Sequence, residues 1–213
     1  MEEKNITKTG TTTVGIKCRD GIVLAADKRA TMGNFIAAKN MDKIYQIDDF
    51  IGITIAGMVS DAQLLVKLIK AELRLKKVRT DRQVQVKEAV NLLAGMSYEN
   101  IRKMSMVPGI VGFVVGGKDQ HGFHLYNIDV AGGMTEEDEY TSDGSGSVFA
   151  YGVFETLYKK DMSIDEGIKL AVKAVNAAIQ RDSASGSGFD VITITDKGFK
   201  RILTKEVNAK LEI

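Results

Sequence analysis

The chain has 213 residues, of which 44% are hydrophobic and 27% are charged, and its formal net charge is +1. This length and composition are typical of one globular domain with a sizeable core, and the balanced charge gives no indication of nucleic acid or an acidic membrane surface as a partner. No apolar stretch approaches the ~20 residues that cross a bilayer. The single cysteine, Cys18, excludes an intrachain disulfide and indicates a reducing compartment such as the cytoplasm.

Two β-rich runs, TTTVGIKC and GIVLAAD, follow a polar leader, MEEKNITKTG, that lacks the apolar middle of a secretory signal. A turn centred on Asp20-Gly21 predicts a hairpin with Val14 opposite Asp27 and Thr11 opposite Ala30. In that register Asp27 lies roughly 10 Å along the sheet from Thr11, at ~3.3 Å per residue, and on the other face. A bulge or a bend at the strand end is needed to bring these two side chains together.

Blocks of strands and helices follow in turn. KIYQID and FIGITIAG predict a second hairpin, and Ser60 or Asp61 is placed to cap a helix through AQLLVKLIKAELRLKK. The apolar stripe of that helix is predicted to be Leu64, Leu65, Leu68, Ile69 and Leu73. A helix through EAVNLLAGMSYENIRKM, strands GIVGFVVGG and FHLYNID, a loop TSDGSGS, helices VFAYGVFETLYKK and IDEGIKLAVKAVNAAIQRD, and a hairpin of FDVITITD with KGFKRILT complete the chain. These segregated runs predict stacked layers, with two sheets between helices.

A hydroxyl cluster, Thr11-Thr12-Thr13, stands directly after Gly10. One interpretation is a strand that begins with residues of high β-propensity. The other is a cleavage site, because removal of residues 1–10 would free an α-amino group whose pKa of about 7.7–8.0 allows it to take the proton of the Thr11 hydroxyl. An amide nitrogen has no such basicity, so the leader would keep the enzyme inactive. The triplet alone does not decide between the two.

Further segments come in a fixed order after Gly10: ADKRATMGNFI, KNMDKIYQID, TIAGMVSDAQ, TSDGSGS and QRDSASG. Together with GTTTVG they resemble the archaeal-type β subunits of the proteasome core particle, in the N-terminal-nucleophile hydrolase family. The resemblance extends from Gly10 to about Thr195. It implies an α+β fold, a four-layer αββα sandwich of two antiparallel sheets between helix layers. It also implies a propeptide over residues 1–10 and a single catalytic domain over residues 11–213.

The resemblance implies a threonine endopeptidase that is activated by autocatalytic cleavage at Gly10-Thr11. Thr11 is then both nucleophile and N-terminal base, and Lys43 lies beside its hydroxyl, either as a cation that stabilises the developing alkoxide or, if neutral, as the proton acceptor. Asp27 pairs with and orients this lysine. It follows the apolar run IVLAA, where an unpaired charge would be costly. The backbone N–H of Gly57 is the implied oxyanion donor.

The remaining matching positions have supporting and substrate-binding roles. Ser145, Asp182 and Ser185 are implied to form hydrogen bonds around the Thr11 amino group. Four apolar or small residues are implied to line the pocket for the side chain before the scissile bond: Ala30, Met41, Ile55 and Val59. They predict cleavage after hydrophobic residues. Thr31, with Gly57, is implied to hold the substrate backbone in strand-like pairing.

The implied assembly is a stack of seven-membered β rings capped by rings of α-type subunits in the cytoplasm, with polypeptide substrates and without a cofactor. No phosphate loop or βαβ alternation indicates a nucleotide site, so unfolding is expected from a separate regulatory ATPase. His121 and His124 lack the supporting partners of a metal site or a triad.

Two alternatives stay open. One is a ring subunit of the same particle that assembles but is unprocessed or poorly active, although intact Thr11, Asp27 and Lys43 argue against degenerate chemistry. The other is the related bacterial two-component peptidase, which also begins with Thr-Thr but has shorter subunits in six-membered rings. Residues 60–106 and QRDSASG fit the proteasome better.

Overall fold

A computed structural model of the chain describes residues 10–206, which form twelve strands and four helices. The strands are β1 (Thr13–Cys18), β2 (Gly21–Asp27), β3 (Ala30–Met32), β4 (Phe35–Ala38), β5 (Ile44–Asp48), β6 (Ile51–Gly57), β7 (Val111–Asp119), β8 (Gly122–Ile128), β9 (Met134–Glu136), β10 (Tyr140–Asp143), β11 (Gly188–Thr195) and β12 (Gly198–Glu206). The helices are α1 (Val59–Thr80), α2 (Val86–Arg102), α3 (Ser147–Leu157) and α4 (Ile164–Arg181). Most of the predicted leader, residues 1–9, and the end of the predicted catalytic domain, residues 207–213, lie outside the described residues.

Two five-stranded antiparallel sheets stack face to face. Their strand orders are β10-β1-β2-β11-β12 and β5-β6-β7-β8-β9. Helices α3 and α4 pack on the outer face of the first sheet, and α1 and α2 pack on the outer face of the second. The predicted α+β class and four-layer αββα sandwich are therefore confirmed.

Strand β2 lies at the centre of the first sheet and is buried on both faces. Val23 and Ala25 belong to the core under α3 and α4, whereas Ile22, Leu24 and Ala26 belong to the core between the two sheets. Because successive side chains of a strand point to opposite faces, a strand covered on both sides reads as a continuous apolar run. GIVLAA is such a run, and it carries the acidic residue that follows it into a buried position.

The β1–β2 hairpin is tighter than predicted. Val14 pairs with Ala25, so the predicted pair of Val14 with Asp27 is wrong. The loop is Arg19-Asp20 rather than a turn centred one residue later, and this moves the register by two residues. The Asp20 carboxylate accepts a hydrogen bond from the Ile164 N–H at the start of α4 (2.8 Å), which ties this loop to the helix layer.

The corrected register brings Asp27 to the start of the chain's first strand. Its N–H donates to the Thr12 carbonyl (3.1 Å), and its carboxylate accepts from the Thr12 N–H (2.9 Å). Thr11 precedes β1, so the strand's alternation does not set the direction of its side chain. Ala30 pairs with Ala38 in the small β3–β4 sheet, and the predicted pairing with Thr11 is also wrong.

Helix α1 differs from the prediction in its start and in its buried face. It begins at Val59 without a side-chain cap, so the predicted capping by Ser60 or Asp61 is wrong. Leu64 and Leu68 are exposed, because the buried face is rotated toward smaller residues. The buried side chains of α1 are Ala62, Leu65, Val66, Ile69 and Leu73.

Four short strands were not predicted from the sequence. The segment TSDGSGS, predicted as a loop, gives its first three residues to β10, which pairs with β1. Strands β3, β4 and β9 have three or four residues each, and β4 and β9 are largely exposed. Such strands carry too few apolar positions to produce a recognisable alternation.

A buried ion pair joins the end of β2 to β11. Lys28 Nζ lies 3.0 Å from Asp190 Oδ2, with side-chain exposures of 3% and 2%. Asp190 also accepts a hydrogen bond from the Thr204 hydroxyl (2.7 Å). The Lys28 carbonyl accepts from the Met41 N–H (2.9 Å), so this pair anchors the chain that leads toward β5.

We expect Lys28→Met to lower the free energy of unfolding by about 2 kcal/mol, because it removes the buried cation at 3.0 Å and leaves the Asp190 carboxylate with only the partly exposed Arg201 guanidinium, 3.5 Å away. Thermal denaturation measures the loss. The double variant Lys28→Met with Asp190→Leu removes both charges and should recover part of it. Equal losses in the single and the double variant would contradict this account.

Candidate active site

Three polar side chains meet at one end of the sandwich, each placed by the start or end of a strand. Thr11 precedes β1, Asp27 ends β2, and Lys43 immediately precedes β5. Their exposures are 5%, 1% and 3%, so each needs partners inside the protein. These residues are the predicted nucleophile, orienting carboxylate and lysine.

Lys43 links the other two side chains. Its Nζ donates to Thr11 Oγ1 (2.9 Å) and to Asp27 Oδ1 (2.7 Å). Burial lowers the pKa of Lys43 below its ordinary 10.5, and the charge and hydrogen bond of Asp27 oppose that shift only in part. The neutral amine is therefore more accessible to Lys43 than to a lysine on the surface.

The Asp27 carboxylate accepts hydrogen bonds from four donors. Lys43 Nζ and the Thr12 N–H (2.9 Å) reach Oδ1, while the Arg29 N–H (3.1 Å) and the Gly186 N–H (2.9 Å) reach Oδ2. An ionised carboxylate is an acceptor only, so it satisfies all four. An amide at this position would turn one N–H group toward another donor.

A second network of hydroxyls lies on the other side of Thr11. The Thr11 N–H donates to Ser145 Oγ (3.2 Å), and Ser145 Oγ donates to Asp182 Oδ2 (2.6 Å). Ser185 Oγ donates to the same carboxylate oxygen (2.6 Å) and lies 2.7 Å from Thr12 Oγ1. The three predicted supporting residues are thus joined to one another, and the chain of hydrogen bonds ends at the Thr11 nitrogen.

Gly10 occupies the cleft in front of Thr11. Its N–H donates to the Thr31 hydroxyl (3.0 Å), and its carbonyl accepts from the Thr11 hydroxyl (2.7 Å). A Cβ added to Gly10 would overlap the Cβ of Ala184. Only glycine fits this position without displacing its neighbours, and the carbonyl of Gly10 lies against the hydroxyl of the candidate nucleophile.

The cleft brings together all six residues predicted to contact substrate. It is lined by Gly10, Thr11, Ala30, Thr31, Met41, Lys43, Ile55, Gly57 and Val59. None of these lining residues carries a carboxylate, and its walls are mostly apolar or small.

Gly57 ends β6 at the rim of this cleft, with φ +113°. A side chain there would be strained, and its Cβ would overlap the carbonyl oxygen of Ile110. Glycine therefore lets the backbone turn from β6 into α1 close to the candidate nucleophile. This turn places a backbone N–H among the residues that line the cleft.

A larger open cleft lies elsewhere, beside the β1–β2 loop and residues 136–140, and it contains none of the predicted site residues. Cys18 lies at its edge. Burial is the main cause that raises the pKa of this thiol to about 12, so it is a poor nucleophile at neutral pH. This larger cleft is thus separate from the candidate site.

The two histidines lie far from Thr11 in sequence and contact other groups. His124 Nδ1 lies 2.9 Å from Glu136 Oε1, and His121 lies in the turn between β7 and β8. Over residues 10–206, no group of three or more His, Cys, Asp and Glu side chains could hold a metal ion. The same residues contain no helix long and apolar enough to cross a membrane.

Sequence reasoning missed three contributors to the site. Thr12 contacts the second network, Ala184 packs against Gly10, and Arg29 binds the Ser183 carbonyl with its guanidinium (2.9 Å). The sequence contains only part of the information that would identify these residues. Arg29 belongs to the segment ADKRAT, and Thr12 belongs to the same hydroxyl cluster as Thr11. Nothing in the segment QRDSASG indicates that it folds back onto the first strand.

Comparison with known proteins gives one consistent family. A family model described as "Proteasome subunit" matches residues 7–194. The chain is 49% identical over 203 residues to the proteasome subunit beta of Methanohalophilus mahii, and 45% identical over 203 residues to that of Ferroglobus placidus; each match covers 95% of both chains. It is 46% identical over 206 residues to the proteasome subunit beta of Methanocaldococcus vulcanius, covering 96% of this chain and 91% of the relative.

Proposed function

Since the chain belongs to the proteasome subunit family, we propose that it is a catalytic β subunit of the proteasome core, a threonine endopeptidase that degrades unfolded polypeptides. Residues 1–10 are its propeptide and residues 11–213 its catalytic domain. One observation carries the proposal. Lys43 Nζ lies within hydrogen-bond distance of both Thr11 Oγ1 and the buried Asp27 carboxylate, and Thr11 Oγ1 itself lies 2.7 Å from the carbonyl oxygen of Gly10.

Activation begins with attack of Thr11 Oγ on the carbonyl carbon of Gly10. Lys43 accepts the hydroxyl proton, for which its lowered pKa is the support, and the proton then passes to the Thr11 nitrogen as the C–N bond breaks. The Gly10 acyl group is left as an ester on Thr11 Oγ. Water hydrolyses this ester, releasing a leader that ends in a Gly10 carboxylate and restoring the hydroxyl beside a free α-amino group.

The free α-amino group changes the chemistry of the site. With a pKa near 7.7–8.0 it is partly neutral at physiological pH, and it accepts the Thr11 hydroxyl proton during turnover. Ser145 and Asp182 position it, as the hydrogen bond from the Thr11 nitrogen to Ser145 Oγ supports. Attack on a substrate carbonyl gives an acyl-enzyme, and water activated by the amine releases the second product.

Residues that line the cleft stabilise the oxyanion of the transition state and select the substrate side chain. The Gly57 N–H is the oxyanion donor, a role typically worth about 3 kcal/mol of the barrier. Ala30, Met41, Ile55 and Val59 receive the side chain before the scissile bond, which favours hydrophobic residues there. Strand-like pairing with Thr31 and Gly57 holds the backbone.

The proposed assembly confines the active sites inside a chamber. Seven copies form a β ring, two such rings stack, and rings of α-type subunits cap them, so that a protease of low specificity acts only inside a chamber in the cytoplasm. A regulatory ATPase supplies unfolded polypeptide. The test is the intact mass of the chain after co-assembly with α-type subunits, followed by trapping with a threonine-directed epoxyketone.

We expect loss of residues 1–10 and an epoxyketone adduct on Thr11. A chain that keeps its leader would favour the poorly active ring subunit, and an adduct elsewhere would exclude Thr11 as the nucleophile. The symmetry of negative-stain images separates a seven-membered ring from the six-membered ring of the bacterial two-component peptidase.

Gly10→Ala is expected to slow removal of the leader by roughly 100-fold, because the added Cβ overlaps Ala184 and displaces the carbonyl that Thr11 attacks. Intact-mass time courses measure the rate. Gly95→Ala and Gly152→Ala are matched controls, since a Cβ at either position meets nothing within 4 Å. Processing of Gly10→Ala at the wild-type rate would show that the placement of this carbonyl is not limiting.

A further inference from the structure

We infer that the side-chain hydroxyl of Thr31 is a positioning group for self-cleavage, which holds the leader by the N–H of Gly10 while Thr11 attacks the Gly10 carbonyl. The inference rests on the proposed function. It concerns the Oγ1 atom of Thr31, not the backbone pairing with substrate already assigned to this residue. Its chemical partner is the last peptide unit of the chain's own leader.

The contacts of Gly10 carry this inference. Its N–H donates to Thr31 Oγ1 at 3.0 Å in a buried hydrogen bond, and its carbonyl accepts from Thr11 Oγ1 at 2.7 Å. Thr31 lies on β3 with 8% of its surface exposed, so its hydroxyl is held in place by packing. Side-chain hydroxyls from two separate parts of the chain therefore hold the two polar groups of the residue that is attacked.

Glycine makes such a hold necessary. A glycine has the widest choice of backbone conformations, and without a side chain it cannot be anchored in the apolar walls of the cleft. The hydrogen bond to Thr31 fixes the peptide unit on the N-terminal side of Gly10, and together with the Thr11 hydroxyl on the carbonyl it restricts the φ and ψ rotations that set the orientation of that carbonyl. Correct orientation of a reacting carbonyl is a large component of intramolecular reactivity.

A peptide substrate has a second source of orientation. Its residue before the scissile bond carries a side chain that contacts Met41, Ile55 and Val59, which line the cleft. Loss of the Thr31 hydroxyl is therefore expected to slow leader removal by a larger factor than substrate turnover. Any effect of this loss on substrate hydrolysis should appear mainly as a higher KM, because it weakens the binding of the substrate backbone.

The test uses Thr31→Val, which keeps the shape of the side chain and removes the acceptor, and Thr31→Ser, which keeps the acceptor. Full-length chains are co-assembled with α-type subunits, and intact mass follows the loss of residues 1–10. Parallel leaderless chains, made from a fusion whose removal exposes Thr11, are assayed on a hydrophobic fluorogenic peptide. Leaving the Gly10 N–H buried without a partner should slow processing by roughly 10-fold to 100-fold.

We expect Thr31→Ser to process at close to the wild-type rate, and leaderless Thr31→Val to lose a smaller factor in kcat than in processing. Processing of Thr31→Val at the wild-type rate would overturn the inference, as would equal losses in processing and in kcat. If Thr31→Val does not assemble, Thr31→Ala removes the same acceptor with a smaller side chain, and its loss in processing rate is compared with its loss in kcat in the same way. Thr11→Ala separates the two claims, because leader loss in that variant contradicts the proposed function itself and not only the role of Thr31.

Discussion

Thr11→Ala is expected to abolish both removal of the leader and hydrolysis of hydrophobic peptides, with rates lower by on the order of 10⁴- to 10⁶-fold. The substitution removes the oxygen that attacks the Gly10 carbonyl and later the substrate. It also removes the acceptor to which Lys43 donates at 2.9 Å. Intact mass reports the leader, and a fluorogenic hydrophobic peptide reports turnover.

The neighbouring threonines provide the control for this variant. Thr13 carries the same hydroxyl two residues later but donates to the Asp143 carbonyl (3.3 Å), away from Lys43. Thr13→Ala should therefore lose its leader and cleave peptide within a few fold of the wild-type rate. Thr11→Ser keeps the oxygen and should retain measurable activity. Wild-type cleavage by Thr11→Ala would mean that another group is the nucleophile.

The layered fold could be predicted from the sequence because its signals are local. A continuous apolar run such as GIVLAA is typical of a strand that is buried on both faces, and segregated runs of strands and helices are typical of stacked layers. The β1–β2 register could not be predicted in the same way, because a turn at Arg19-Asp20 and a turn one residue later both suit the residues present. That single choice decided whether Asp27 stood beside Thr12 or three residues away from Thr11.

Local chemistry alone singled out little of the candidate site. The place of Thr11 after glycine and of Asp27 after an apolar run made each a candidate, but their roles, like the choice of Lys43 among many lysines, came from the resemblance to a family. The side-chain roles of Thr12 and Thr31 depend on contacts with Ser185 and Gly10 across long sequence separations. No periodicity or spacing encodes such contacts, since they arise only when the sheets and the loop after α4 come together.

Lys43→Met is expected to lower both leader removal and peptide hydrolysis by roughly 10²- to 10⁴-fold, the range typical of a lost acid–base group. Methionine fills similar space but neither accepts the Thr11 proton nor pairs with Asp27. Lys28→Met is the matched control, because Lys28 is likewise buried and paired with an aspartate but does not contact Thr11. Lys28→Met should lose stability yet keep measurable hydrolysis, whereas similar loss of hydrolysis in both would assign the effect of Lys43 to folding.

The pH dependence of leader removal decides what Lys43 does. Two groups could accept the Thr11 hydroxyl proton, the Thr11 nitrogen and the Lys43 amine. In the precursor the Thr11 nitrogen is an amide, so only Lys43 of these two titrates. If the neutral amine takes the hydroxyl proton, the processing rate rises with pH through the pKa of Lys43, which burial holds below 10.5, and is constant above it. If the cation stabilises the alkoxide instead, the rate falls as pH rises through the same pKa. We expect the rise, measured by intact mass across a series of pH values, with assembly followed separately in Thr11→Ala, because burial disfavours the charged form of this lysine more than Asp27 favours it.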